Sequence, residues 1–440
     1  MKLNSIPLPA ALVLTTLTLV IAACGGDDDG GGDGRPSVAF GLHSEFVATA
    51  DRVSEIAFAP DDRVFFAEQL TGNIRVILAD GTLQEEPFAT VPVETFLQLD
   101  WGLTGLALDP DFDSNGYVYA YYTNPVDTSE PPNGPTAQPT IVRFTDEDGV
   151  GTDETVIADD FPVTPVIHPG FNGNGKIHFG PDGFLYVSVG DYDDYEENPA
   201  QDLAMPIGKL LRIDPSDGLA AEGNPFADDA DADPRVYAYG FREPFDFTFH
   251  PETGVVYASD NTAVSCEEIN IIEAGENYGW RTGDFPYSDC SVGEQGRLIY
   301  NAARDGMQPG DFLSFVEISA LEFAVRDRYP TLGDALIVCE SWRSEADEDG
   351  TPSRGVMRRV VLSGADLDTV ETSEEITREC RGNLSIAPDG TIYYASDTEV
   401  RKLEIGEDPG GGDDGGSDQN GSDDGDDTGP TQPVPLQPTQ

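Results

Sequence analysis

One phrase recurs along the middle of the chain: an apolar or alternating strand, a turn built from Pro, Asp and Gly, then a second strand rich in aromatic residues. It reads "IAFAPDDRVFFAEQ" from Ile56, "LALDPDFDSNGYVYAYY" from Leu106, "IHFGPDGFLYVSVGD" from Ile177, "FTFHPETGVVYASD" from Phe247 and "LSIAPDGTIYYASD" from Leu384. A degenerate copy, "FAVRDRYPTLGDALIVCE" from Phe323, fills the one long gap. Each hairpin is followed by a further strand: "GNIRVIL", "TIVRFT", "GKLLRID", "EEINII", "VMRRVVL" and "EVRKLEI". A strand, turn, strand, loop, strand unit returning about every 50 to 80 residues is the sequence form of a propeller blade. Six copies predict an all-β, six-bladed β-propeller. One blade cannot cover both of its faces, so blades pack around an axis and bury one another. Two stacked β-sandwiches are the alternative, although sandwiches do not need the same turn six times.

The two ends have a different composition. Lys2, the apolar run "ALVLTTLTLVIAA" and Cys24 have the order of a secretory signal, and "IAAC" at 21–24 looks like a lipobox, with cleavage before Cys24 and lipid on that cysteine. An ordinary cleavage site with an incidental cysteine is the alternative. The expected division is a signal over 1–23, a Gly/Asp tether over 24–36 that has almost nothing to bury, a propeller over 37–405 and a disordered acidic, Pro-rich tail over 406–440. The body of about 370 residues exceeds the usual single core unless the architecture is a repeat or a barrel. The expected location is therefore outside the cytoplasm, at the outer membrane or cell surface, with membrane contact only through lipidated Cys24.

Net charge is −58, from 82 acidic and 24 basic residues. Such a surface repels phosphate backbones and anionic headgroups, which argues against nucleic acid as a partner and raises the expectation of calcium. Four cysteines besides Cys24 form an even set for an oxidising compartment. Cys266–Cys290 with Cys339–Cys380 is the simplest of three pairings, and no spacing suggests zinc or a CxxC redox site.

"GLTGLALDPDFDSNGYVYAYYT", "GKIHFGPDGFLYVSVGD", "QDLAMPIGKLLRIDP", "VYAYGFREPFDFTFHPETGVVYASD" and "EEINIIEAGENYGW" together resemble, in order from about Val53 to Leu403, the soluble quinoprotein aldose and glucose dehydrogenases of the glucose/sorbosone dehydrogenase family. The resemblance implies a six-bladed propeller that holds pyrroloquinoline quinone (PQQ) in a central funnel. It also implies oxidation of a sugar hydroxyl by hydride transfer to the quinone, and an external acceptor that takes the electrons. By the same resemblance Glu268 and the backbone carbonyl of Tyr278 hold Ca²⁺, and Arg242 of "YGFREPF" polarises the quinone, with Glu243 replacing the asparagine that usually follows. Asp100, Asn172, Gln201, Arg242 and Arg381 fall at cofactor-contact positions. The lysine expected after "LIV" is Trp342, with Arg343 beside it, and Arg378 and Arg381 flank Cys380.

The base position departs from the family pattern. Counting seven residues back from Phe179, where active members carry histidine, lands on Asn172, which has no titratable group near neutral pH. His168, four residues earlier, is the candidate replacement base. His178 reads as a packing residue, and His43 and His250 lie outside the constellation. Loss of the base allows two other readings. One is a non-catalytic propeller that binds glycan or protein, resembling the domain of hedgehog-interacting proteins. The other is a calcium-dependent hydrolase like the six-bladed lactonases, with "NGN", Asp100 and Asp191 around one ion. Substrate identity and oligomeric state are not legible in the residues.

Overall fold

The computed structural model describes residues 41–95, 101–129, 136–163, 172–173, 175–192, 197–261, 267–280, 297–302, 316–341, 355–396 and 398–406. These form six four-stranded antiparallel sheets, a six-bladed β-propeller. The innermost strands of blades 1 to 6 are Val53–Phe58, Leu103–Leu108, Ile177–Phe179, Phe247–Phe249, Glu317–Ala324 and Leu384–Ile386. They pack in a ring, blade 1 on 2, 2 on 3, 4 on 5, 5 on 6 and 6 back on 1. Between blades 3 and 4 the ring is closed by His178, whose imidazole meets Phe247 edge-on at 4.8 Å.

The recurring turn has one local cause. In blade 3, Gly183 sits at φ 81° and returns its N–H to the Gly180 carbonyl, while Asp182 accepts from the Phe184 N–H. Blade 6 repeats this with Gly390 at φ 92° and Asp389 accepting from Thr391. An aspartate that caps the turn and a glycine at positive φ are the residues this geometry selects.

Burial follows the interfaces between blades. Among the described residues there are six clusters of buried apolar residues, one per blade junction. Between blades 1 and 2, for example, Phe65 meets Phe88 and Phe112 edge-on at 5.3 and 5.9 Å. Such aromatic pairs contribute about 0.5–1.5 kcal/mol each beyond their buried area.

The third strand of every blade lies where the sequence placed it. The fourth strands were not all foreseen, and blade 6 takes its outermost strand from the other end of the described chain. Gly41–Thr49 pairs antiparallel with Glu399–Gly406 and closes the ring non-covalently. Cys339 and Cys380 form the expected disulfide, joining the second strand of blade 5 to the approach of blade 6. Cys24, Cys266, Cys290, the tether and the tail lie outside the described residues. Among the described residues, no helix is long and apolar enough to cross a membrane.

Candidate active site

Glycine brings the first residues of the site together. A Cβ on Gly190 would fall 2.2 Å from the Asn172 carbonyl oxygen, so the segment carrying Asn172 can lie against the end of Leu185–Val189 only because residue 190 has no side chain. On the other flank a Cβ on Gly175 would enter the Tyr121 ring of blade 2 at 2.4 Å. Asn172 is thereby fixed beside Asp191, its Nδ2 donating to Asp191 Oδ1 at 2.8 Å with both residues buried.

Asp191 joins three segments. Its Oδ2 accepts from the Trp280 indole at 2.7 Å, and its N–H donates to the Arg242 carbonyl at 2.8 Å. Asn172 and Arg242, chosen from separate parts of the sequence, thus belong to one hydrogen-bond network. The Arg242 guanidinium lies 6.0 Å from the Trp280 ring centroid and donates to the Asn261 carbonyl at 2.9 Å. It also pairs with Glu243 at 3.3 Å, so the acid after the arginine does partly neutralise it.

Below Arg242 the carboxylates of blade 4 are crowded and buried. Asp260 accepts from the N–H groups of Arg242 and Glu243, the shortest at 2.7 Å. It lies opposite Glu268 across the sheet. Burial pushes Asp260 up to about 8, against the pull of those N–H groups, and Glu268 pushes it the same way. Burial likewise pushes Glu268 up to about 7, and an Asn270 amide donates to it at 3.3 Å. Glu267, on the opposite face of the strand, is fully buried, and among the described residues neither of its carboxylate oxygens accepts a hydrogen bond of good geometry. Burial drives its proton affinity well above the ordinary carboxylate range. Tyr278 stacks on Phe241 at 4.7 Å and sends its hydroxyl to the Ile271 carbonyl. No hydrogen bond joins Glu268 to Tyr278 among the described residues. Orphaned and proton-hungry carboxylates of this kind fit a hard cation.

At the entry ends of the innermost strands a cavity opens on the axis, lined by Arg52, Thr104, Lys176, Glu317, Ser341 and Arg381. Arg381 thus lines this cavity with Arg52, and two guanidiniums suit an anionic, multiply carboxylated ligand. Gln201 is placed differently. Its amide donates to the Trp280 carbonyl at 2.8 Å and exchanges hydrogen bonds with Asn277, a bracket that holds Trp280. Arg378 is half-exposed and paired with Glu375 at 2.7 Å. Asp100, His168, Trp342 and Arg343 lie outside the described residues.

His178, read as a packing residue, does pack its ring on Phe247, and its Nε2 also lies 3.0 Å from Asp246 Oδ1. Trp280, Asp260 and Lys176 were passed over as candidates. Lys176 had a visible signal, a lysine directly before an apolar strand in "GKIHF".

The glucose/sorbosone dehydrogenase family model matches residues 51–404. Aldose sugar dehydrogenase YliI of Escherichia coli is 24% identical over 358 residues, covering 79% of this chain and 88% of that protein. Quinoprotein glucose dehydrogenase B of Acinetobacter calcoaceticus is 27% identical over 326 residues, covering 64% and 66%. Among solved structures, a putative oxidoreductase (glucose dehydrogenase) from Thermus thermophilus aligns at 28% identity and a TM-score of 0.62, over 83% of this chain and 100% of that one.

Proposed function

Because the chain belongs to the glucose/sorbosone dehydrogenase family, we propose that it is a PQQ-dependent sugar dehydrogenase that oxidises a sugar hydroxyl and passes the electrons to an external acceptor. The observation that carries this reading is the network from Asn172 through Asp191 to Arg242 and Trp280, which joins the family's base position to its arginine. The names of the E. coli and Acinetobacter relatives support the substrate class and the quinone.

The bound quinone supplies the hydride acceptor; the chain supplies the rest. Arg52 and Arg381 would hold the cofactor's carboxylates, and Arg242 would offer positive charge to a quinone oxygen. Trp280, held by Asp191 and Gln201, walls the site. Asn172 commits its nitrogen to Asp191 and presents its amide oxygen to the substrate hydroxyl, which it orients but cannot deprotonate. Asp191, the adjacent carboxylate, takes the hydroxyl proton. Glu268 and the Tyr278 carbonyl hold calcium, next to Asp260. Export and lipidation of Cys24 complete the reading, on the strength of the apolar run and "IAAC".

Purified protein given Ca²⁺ and PQQ should acquire the cofactor's absorbance in a saturable titration, weakened at least about tenfold in Arg381→Ala, which loses a charge-assisted contact. An absence of uptake at micromolar cofactor would remove the proposal. His168→Ala should leave dye reduction by aldoses unchanged and Asp191→Asn should abolish it. The reverse pattern would make His168 the base.

A further inference from the structure

The second cavity of the axis lies at the exit ends of the innermost strands, away from the arginine-lined one. It measures about 420 Å³ and is walled by residues that include Glu55, His178, Asp246, His250 and Glu322. The candidate donor atoms of Glu55, His178 and Asp246, from the inner strands or their approaches in blades 1, 3 and 4, all lie within 4.8 Å of one another.

We propose that this cavity binds one divalent first-row transition-metal ion of the zinc class through His178, Asp246 and Glu55. The first argument is charge. Glu55 and Asp246 are only 3% and 2% exposed, Glu322 lines the same space, and the one lysine among them, Lys176, is paired with Glu55 at 3.0 Å. With the imidazole neutral and the carboxyls ionised, the state in which they would ligate a metal, these groups sum to two negative charges, which one divalent ion cancels. The second argument is spacing. His178 Nε2 and Asp246 Oδ1 stand 3.0 Å apart, close to the edge of about 3.3 Å of a tetrahedron whose bonds are about 2.0 Å.

The third argument is orientation. Each donor is already steered by a neighbour, as metal ligands are. Asp246 Oδ2 accepts from the Leu321 N–H at 3.0 Å. Glu55 Oε1 accepts from the Ile56 N–H at 3.2 Å, and Lys176 holds its other oxygen. The His178 ring is set edge-on by Phe247. An imidazole nitrogen with carboxylate oxygens selects zinc, cobalt or manganese over calcium, which prefers oxygen alone. Such an ion would tie blades 1, 3 and 4 together at the axis.

The test uses the purified full chain, stripped with chelator and then held in excess Ca²⁺ so that oxygen-only sites are filled. Titration with Co²⁺ should give visible d–d absorption saturating at one ion per chain, displaced by Zn²⁺, with a raised melting temperature. His178→Gln should weaken binding about 100-fold or more. No cobalt absorption, or unchanged affinity in His178→Gln, would overturn the proposal. Should that variant not fold, anomalous scattering from zinc-soaked wild-type crystals decides: an ion bonded to His178 Nε2 supports the site, and zinc found only elsewhere overturns it.

Discussion

Asp62 takes the turn position that glycine fills in blades 3 and 6, at φ 67°. Its N–H still returns to the Ala59 carbonyl, so the turn is kept at the expense of a conformation that L-residues disfavour. Asp62→Gly should therefore stabilise the protein by up to about 1 kcal/mol, read by denaturant midpoint. Lys209 is a stronger case. It is fully buried and its ammonium donates to the carbonyls of Pro199, Ala200 and Ile207 at 2.7, 3.0 and 2.9 Å. Lys209→Met keeps the stem but leaves three buried acceptors unsatisfied, and should cost about 3 kcal/mol or more. Neither role was legible in the sequence, because the first depends on one φ angle and the second on three carbonyls that the loop before the strand folds around the lysine. Asn172 was legible as a substitution and Asp191 as a candidate ion ligand near "NGN", but their direct hydrogen bond was not, since it depends on the close approach that Gly190 permits.

The elements were readable where they are apolar and continuous. "LYVSV", "VFFAE" and "VYASD" are buried at every position and lie where the repeat put them. The outer strands were harder to read, because solvent on one side removes the constraint: "TVETSEEIT" of blade 5 has one buried position, and the outer strand of blade 1 is only Ala89–Thr90. Two element-scale predictions follow from joins between strands. The Cys339–Cys380 bond spans 41 residues and ties blade 5 to blade 6, so Cys339→Ala/Cys380→Ala should lose about 2 to 4 kcal/mol, with a lower melting temperature under non-reducing conditions. In blade 4, adding Ca²⁺ to chelator-treated protein should raise the melting temperature near pH 8, and Glu268→Gln should abolish that response to Ca²⁺.

The whole molecule is a ring whose closure depends on its first described strand. Gly41–Thr49 pairs with Glu399–Gly406, and Ala48 is buried in the junction of blades 6 and 1 beside Val53 and Ile56. Deleting 41–49 should leave blade 6 three-stranded and uncover that junction, visible as a broadened thermal transition by circular dichroism and binding of a hydrophobic dye. Closure was hidden from the repeat count because the closing strand stands apart from the phrase it completes. The ring also brings the entry ends of the inner strands, and with them Arg52, Lys176 and Arg381, to one axial cavity, and joins Asn172, Asp191 and Arg242 in one network. On the proposed reading Asp191 serves as the base there, because Asn172 has no titratable group. Dye-coupled turnover of an aldose by Asn172→His, reconstituted with PQQ and Ca²⁺, is the most direct test. An imidazole set against Asp191 should raise kcat about 100-fold over the natural asparagine and introduce a dependence on a group titrating near neutrality. A kcat unchanged in a variant that still takes up the cofactor would show that position 172 does not stand where the proton leaves.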